Sequence, residues 1–134
     1  MSALGHLVPK GIRAPFARYS HAVTVPGAAR WLLCSGQLGI TTDNEIPDSA
    51  EAQAVLCFDA IGACLAEGGM SFADIVRINA YVTDRAHMAS YMAVRDRYVA
   101  LPAPASTLMI VSGFTRPEFK VEVEAIAAKL ADEA

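Results

Sequence analysis

The chain contains 134 residues, of which 54% are hydrophobic, and it carries a formal net charge of −3 at pH 7. A chain of this length ordinarily forms one domain, so we expect residues 1–134 to fold as a single unit. Its basic residues are scattered singly, whereas binding of a phosphate backbone needs clustered cations, and no run approaches the ~18 apolar residues of a membrane span. Neither nucleic acid nor a membrane is therefore an expected partner.

The hydrophobic fraction exceeds the ~45–50% that is usual for soluble domains, and this surplus predicts a buried subunit interface. The N-terminal segment MSALGHLVPKGIR lacks the apolar core of a secretory signal. The three cysteines, Cys34, Cys57 and Cys64, cannot all pair within one chain, so a disulfide-stabilised secreted protein is not expected. The sequence thus favours a cytoplasmic protein with reduced thiols.

The first half of the chain predicts a β-hairpin followed by a long helix. In YSHAVTVPGAARWLLCSG (19–36), an alternating segment and a short apolar run flank the turn-forming residues PGAA, as two paired strands would. Residues 48–69 then show helical periodicity. Asp48 and Glu51 have the spacing of a capping box, and a pair of glycines predicts the end of the helix.

The second half predicts three strands and a second helix. Residues 75–83 alternate apolar with polar side chains, which is typical of a strand with one polar face. Residues 85–99 have helical spacing after the candidate cap Asp84, and the prolines that follow stop this helix. STLMIVSG (106–113) and FKVEVEAIAA (119–128) complete the chain as two strands.

The resulting order, β-β-α-β-α-β-β, contains too few helices to cover both faces of a sheet. We therefore expect an α+β fold in which a mixed sheet carries two helices on one face. The opposite face would expose apolar side chains to water unless other subunits cover it, and this favours a homo-oligomer.

The common catalytic and ligand-binding motifs are absent, namely the P-loop, GxGxxG, HExxH, GxSxG and CxxC patterns. The histidines have no second ligand at a metal-like spacing, so no metal is expected. Cys57 and Cys64 lie seven residues apart, as core positions of a helix do. Cys34 precedes a polar SGQ segment and lies near a candidate site, where a nucleophile would need a base to lower its pKa.

Glu122 and Glu124 share one face of the last predicted strand and allow two interpretations. They form either an ordinary solvated strand face or a carboxylate site at a subunit seam. In the second case, burial would raise the pKa of a carboxyl group toward a value useful for acid–base catalysis. Tyr19 and Ser35 are, in the same way, either polar residues at strand ends or hydrogen-bonding groups of a pocket.

Several segments, taken in order, resemble one known family: PFARYSHAV, LLCSGQLGI, SFADIVRINAYVTD, PAPASTLMIV and KVEVEAIAA. This is the Rid family, also called the YjgF or reactive-intermediate-deaminase family, and the similarity extends from about Pro15 to Ala128. The resemblance implies a fold like that of chorismate mutase and a homotrimer with a small-molecule pocket at each subunit interface. For the deaminase branch, it implies hydrolysis of an enamine or imine to a keto acid and ammonia without a cofactor.

The resemblance also assigns roles to individual residues. Glu122 matches the glutamate that positions water and acts as acid or base. Tyr19 matches the tyrosine of the N-terminal motif, and Ser35 and Gly36 match the SGQ segment. Tyr19 and Ser35 would orient the substrate, and Glu122 would be the catalytic residue.

One position departs from the pattern of the family's deaminases, which carry Pro-Ala-Arg-Ser/Thr. Pro104, Ala105 and Thr107 are retained, and Ser106 stands where the arginine belongs, so the chain resembles an arginine-less subgroup. A guanidinium binds a carboxylate with a free energy more favourable by about 1.5–3 kcal/mol than that of a hydroxyl group. At ~1.4 kcal/mol per decade, small imino acids would bind at least about tenfold more weakly.

Two further residues belong to the expected substrate-binding set, together with Ser106 and Ala105. Met92 stands where archetypal members have asparagine, which makes this wall of the pocket more apolar. Arg18, beside Tyr19, is either a replacement cation or a surface residue.

The residues leave two functional hypotheses. The first is a cofactor-free hydrolase or deaminase of an enamine or imine that does not depend on the arginine clamp. The alternative is a non-catalytic, metabolite-binding or regulatory trimer that uses the same interface pocket. Replacement of Glu122 by Gln distinguishes them, because only the hydrolase has turnover to lose.

Overall fold

A computed structural model describes residues 3–131. The strands in this range are β1 (Gly5–Leu7), β2 (Ala22–Thr24), β3 (Ala29–Leu38), β4 (Ile75–Val82), β5 (Ala105–Ile110) and β6 (Val121–Leu130). The α-helices are α1 (Ala50–Glu67) and α2 (Met88–Tyr98), and short 3₁₀ turns precede β4 and α2 at Phe72–Asp74 and Arg85–His87. Within residues 3–131, no helix is both long enough and apolar enough to cross a membrane.

The main sheet contains four strands in the order β3-β6-β4-β5. Strand β6 pairs antiparallel with both β3 and β4, whereas β4 and β5 are parallel. Parallel neighbours need a crossover connection, and α2 lies in the connection between β4 and β5. Helix α1 packs against β3, β6 and α2. The arrangement confirms the predicted α+β class, with helices packed on one face of a mixed sheet.

The predicted hairpin over residues 19–36 is wrong. Strand β2 pairs instead with β1, which the sequence did not predict, and His6 faces Val23 in this ladder. Strand β3 pairs with β6, so Leu33 lies beside Ile126 from the other end of the chain. Alternation of side chains indicates a strand but does not choose its partner, because packing against neighbours decides where a strand is stable.

Helix α1 begins at a different cap from the one predicted. The capping residue is Ser49 rather than Asp48, and its hydroxyl accepts a hydrogen bond from the backbone N–H of Ala52 at 3.1 Å. Serine and aspartate are about equally good in this role, so spacing alone did not separate two adjacent candidates. The predicted end is confirmed, because Gly68 is the C-cap and Gly69 has a φ of +73°, which favours glycine.

Alternation along the central strands places the core on the side of the main sheet that faces the helices. Ile78 and Val82 of β4, and Val121 and Val123 of β6, are fully buried there, together with Phe58 of α1. Asp84 is a cap, as predicted, but it caps the short 3₁₀ turn Arg85–His87 rather than α2. Its carboxylate accepts from the backbone N–H of Ala86 at 2.8 Å, and α2 begins after His87 without a side-chain cap.

The opposite face of the main sheet exposes large apolar side chains. Trp31, Leu33 and Met109 are 54%, 75% and 53% exposed. Their neighbours in register include Ile126 and Tyr81, which lie on the same face. The expected sheet face without helices is therefore present, and it combines these apolar side chains on the edge strands with polar residues of β4 and β6, among them Glu122.

The side chain of the buried Gln53 forms hydrogen bonds with the backbone just before β6, the strand that carries Glu122. The Nε2 group of Gln53 donates to the carbonyl oxygens of Pro47 at 2.8 Å and Glu118 at 2.9 Å, and its Oε1 accepts from the N–H of Lys120 at 2.8 Å. Gln53 is fully buried. Helix α1 is thereby tied to the backbone immediately before β6.

Candidate functional site

Glu122 lies on β6 between two fully buried residues, Val121 and Val123. Since successive side chains of a strand point to opposite faces, its carboxylate lies on the face without helices. Burial and, to a smaller extent, the neighbouring carboxylate of Glu124 raise the pKa of Glu122. The shift moves the group toward the range in which a carboxyl can both accept and donate a proton near neutral pH.

An irregularity in β3 brings Gly36 beside Glu122. The regular pairing of β3 with β6 is interrupted between Cys34 and Gln37. A Cβ placed on Gly36 would lie 2.6 Å from Oε2 of Glu122, so the missing side chain leaves room for this carboxylate. Ser35, the residue before Gly36, is exposed, and it lines a different cavity between β3 and α1 together with Cys34 and Cys64. We call Gly36 and Glu122 the carboxylate group of the site.

Tyr81 supports the same region from the neighbouring strand β4. It faces Glu122 in the ladder between β4 and β6, and its hydroxyl donates to Oε1 of Glu124 at 2.8 Å. That hydrogen bond raises the pKa of Tyr81 and holds the second carboxylate in place. Tyr81 therefore fixes the position of the Glu124 carboxylate, whose negative charge contributes to the raised pKa of Glu122.

A separate cavity of about 420 Å³ lies between α2 and β5, and we call it the α2–β5 cavity. The residues that line it include three from the predicted substrate-binding set, Tyr19, Met92 and Ser106. The pairing of Ser106 with the buried Ile78 shows that Ser106 lies on the side of the sheet that faces the helices. The structure thus brings these three predicted residues together.

Backbone and side-chain hydrogen bonds place Tyr19 in this cavity. The N–H of Ser20 donates to the carbonyl oxygen of Pro104 at 2.9 Å, and its buried hydroxyl donates to the carbonyl oxygen of Ala103. The chain that precedes β2 is thereby attached to the chain that enters β5. Tyr19 consequently lies close to Ser106, although the two residues are far apart in sequence.

Two other predicted residues do not line the α2–β5 cavity. Ala105 is buried, and alternation along β5 directs its side chain away from the face on which Ser106 lies. Arg18 is exposed, and its Nη1 donates to the backbone carbonyl of Asp96 at 3.1 Å. Its guanidinium therefore caps the end of α2.

The sequence did not single out Arg95, which lines the same cavity as Ser106. Arg95 is only 3% exposed. The spacing of Met88, Met92 and Arg95 on α2 is i, i+4, i+7, which places all three on one helix face. That spacing is the signal from which the sequence could have identified this cation.

The two sets of residues lie at different places on one chain. Strand β6, which carries Glu122, is separated from β5 by β4, which makes two strand spacings or ~9.5 Å. Glu122 and Ser106 also lie on opposite faces. Within one chain, the carboxylate group and the α2–β5 cavity therefore do not form a single pocket.

The thiols of Cys34 and Cys57 are not suited to nucleophilic chemistry. Burial, assisted by a contact with Cys64, raises the pKa of Cys34 to about 11, and burial raises the pKa of Cys57 to about 12. Thiols with such high pKa values are protonated at neutral pH and react slowly. Among residues 3–131, no cluster of three or more His, Cys, Asp or Glu side chains could hold a metal ion.

Residues 11–129 match the protein family described as endoribonuclease L-PSP. Protein DfrA from Myxococcus xanthus is 33% identical over 111 residues, which cover 81% of this chain and 83% of that protein. The solved structure of RidA from an Antarctic Psychrobacter species is 31% identical, with a TM-score of 0.67, over 85% of this chain and 90% of the other. A YjgF family member from Neisseria meningitidis is 26% identical, with a TM-score of 0.68, over 98% and 97% of the two chains.

Proposed function

Because the chain belongs to the endoribonuclease L-PSP family, which includes the YjgF and Rid proteins, we propose that it hydrolyses the C–N bond of an enamine or imine metabolite without a cofactor. The observation that carries the proposal is the placement of Glu122. Its carboxylate is half-buried, lies against the open side of Gly36 and has a raised pKa. This combination suits a group that must take up a proton and return it.

In this reaction, Glu122 accepts a proton from water as the water oxygen attacks the imine carbon. The C=N bond becomes a C–N single bond, and the nitrogen takes up a proton from bulk water to form a carbinolamine. Glu122 then returns its proton to the leaving nitrogen. The C–N bond breaks, the hydroxyl group releases its proton to bulk water as it becomes a carbonyl group, and ammonia leaves, so one water is consumed for each imine hydrolysed.

The proposed assembly is a homotrimer with each site at a seam between subunits. One observation supports it. The apolar sheet face around Trp31 and Leu33 is uncovered in one chain, and burial of such a face stabilises association. A seam would also allow the carboxylate group of one copy to meet the α2–β5 cavity of the next copy.

The substrate differs from the small imino acids that suit an arginine at position 106. Ser106 offers a neutral hydroxyl instead, and Met88, Met92 and Leu108 give the α2–β5 cavity an apolar wall. We therefore favour an imine with a hydrocarbon chain longer than a methyl group. RNA is not the favoured substrate, because the chain has a net charge of −3 and its basic residues are scattered.

The test is ammonia release from 2-iminopropionate and larger imines generated in situ, with wild type, Glu122→Gln and Ser106→Arg. Wild-type activity on a larger imine should fall by about 10²–10⁴ in Glu122→Gln. A matched control is Glu51→Gln on the exposed side of α1, which should retain activity. If wild type releases no ammonia from any imine tested and Ser106→Arg gains activity on 2-iminopropionate, the catalytic residues are intact and the natural substrate lies outside the imines tested.

Absence of ammonia release by all three proteins would instead support the non-catalytic, metabolite-binding trimer. The same experiment therefore separates an enzyme from a binding protein. Analytical ultracentrifugation of each variant shows whether the assembly survives the substitution.

A further inference from the structure

An arginine, Arg95, lines the α2–β5 cavity, although position 106, where the family's deaminases carry their arginine, is a serine in this chain. Of the described residues that line it, Arg95 alone carries a formal charge. The side chain is 4% exposed, yet it belongs to the wall of a cavity of about 420 Å³. A charged group is seldom buried without a partner or a function, so its surroundings decide which of these applies.

The partner of Arg95 uses only part of the guanidinium. Both Nε and Nη2 donate to the same oxygen, Oδ1 of Asp96, at 3.1 and 3.0 Å. Nη1 takes no part in these two bonds. A carboxylate that binds a guanidinium in the usual bidentate way engages it with two oxygens, so this pair leaves donor capacity for a second anion.

Two other arginines near the site, Arg18 and Arg77, are engaged elsewhere. Arg18 donates to the end of α2 and is exposed. Arg77 donates to Oδ1 of Asn79 at 2.9 Å and to Oγ1 of Thr107 at 2.7 Å. Neither guanidinium lines the α2–β5 cavity.

We infer that Arg95 binds a carboxylate of the ligand and so replaces, from helix α2, the cation that is missing at Ser106. This inference rests on the proposed function for the identity of the reacting group. The ligand class is then a carboxylate attached to an apolar chain, with the carboxylate at Arg95 and the chain against Met88, Met92 and Leu108. The cavity volume lies within the ~300–1,000 Å³ that is usual for small-molecule sites.

If Arg95 binds the ligand, Asp96 should weaken ligand binding. Its carboxylate competes with the ligand for Arg95, and its side chain is 38% exposed, so it has room to move toward water. Removal of this competing charge should therefore strengthen ligand binding. A purely structural ion pair predicts the opposite or no effect, because loss of Asp96 would only disturb Arg95.

The test is calorimetric titration of the full-length protein with two probes of the same shape, 4-methyl-2-oxopentanoate and its neutral amide, 4-methyl-2-oxopentanamide. Wild type should bind the carboxylate at least about tenfold more tightly than the amide. Arg95→Gln should remove this preference, and Asp96→Asn should strengthen binding of the carboxylate but not of the amide. Arg97→Gln is the matched control, because its side chain is on the same helix and 57% exposed.

A preference that persists in Arg95→Gln overturns the inference, as does equal or undetectable binding of both probes by wild type. If Arg95→Gln does not fold, Asp96→Asn decides alone, and unchanged or weaker carboxylate binding overturns the inference. Absence of ammonia release with an intact preference would remove the proposed function and keep this binding role. Ammonia release by a wild-type protein that binds the two probes equally would do the reverse.

Discussion

Gly36 leaves open the space that the carboxylate of Glu122 occupies. A Cβ at position 36 would lie 2.6 Å from Oε2 and 2.8 Å from Cδ of Glu122, closer than non-bonded carbon and oxygen atoms approach. The two residues belong to different strands, and the contact arises where the pairing of β3 with β6 is irregular. The position of the proposed catalytic carboxylate thus depends on a glycine in the adjacent strand.

Replacement of Gly36 by Ala should displace this carboxylate without unfolding the chain, because the atoms that must move are at the end of a flexible side chain. A displacement of about 1 Å costs on the order of 10²-fold in rate when geometry is critical. We expect kcat for ammonia release to fall by about that factor. Gly113→Ala is the control, since a Cβ there meets nothing within 4 Å. Equal kcat values for the two variants would contradict the proposed role of Gly36.

Glu122→Gln should change stability in a pH-dependent way. The pKa of Glu122 is raised in the folded chain by burial and by Glu124, so the folded state holds this proton more tightly than the unfolded state does. The resulting stabilisation is complete below the ordinary pKa of Glu, about 4.3, and is lost as pH rises through the raised value. At pH 7 the variant should therefore be more stable than wild type, and near pH 4 this advantage should disappear.

Urea denaturation at both pH values measures the difference. Glu118→Gln provides a control of opposite sign, because the pKa of Glu118 is lowered by a hydrogen bond from its own backbone N–H and by Arg116. Its charged form contributes stability above the ordinary pKa of Glu, and this contribution is lost as pH falls through the lowered value. Glu118→Gln should consequently be less stable than wild type at pH 7. The same sign for both variants would contradict the environment described for Glu122.

Mixed oligomers test whether one site combines residues from two copies. Glu122→Gln disables the carboxylate group, and Ser106→Phe fills the α2–β5 cavity with a large side chain. Each variant alone should be inactive. If the two sets of residues meet across a seam, random mixing in a ring of identical subunits restores about one quarter of the sites. Co-expression followed by measurement of ammonia release gives the recovered activity, and no recovery would mean that the two sets do not act in one interface site.

Gln53→Ala should lower the free energy of unfolding substantially. It removes the partners of two carbonyl oxygens and one backbone N–H, and each buried polar group left unpaired costs about 1–3 kcal/mol. Water reaching the emptied space offsets part of this loss, so we expect a decrease of about 2–5 kcal/mol in denaturant unfolding. Gln37→Ala is the matched control, because Gln37 is only half-buried and donates to one carbonyl, that of Ser35. If Gln53→Ala lowers the free energy of unfolding no more than Gln37→Ala does, the hydrogen bonds of Gln53 do not stabilise the start of β6 as described.

Local features of the sequence determined most of the elements of secondary structure. Alternation predicted β4 and β6, and it placed Glu122 on the face opposite Val121 and Val123. Helical periodicity and the two glycines predicted α1 and its end. These features are readable because the side-chain period of a strand or helix is a property of the backbone itself.

The tertiary structure alone decided which strands are neighbours and which side chains meet. It paired β3 with β6, brought Gly36 against Glu122 and buried Arg95 in the wall of the cavity that Ser106 also lines. A periodic pattern states which face of an element is apolar, but the choice of partner depends on the area buried and on the entropy of closing the intervening chain. The predicted hairpin failed for this reason, and the cation of the α2–β5 cavity became visible only when α2 was packed beside β5.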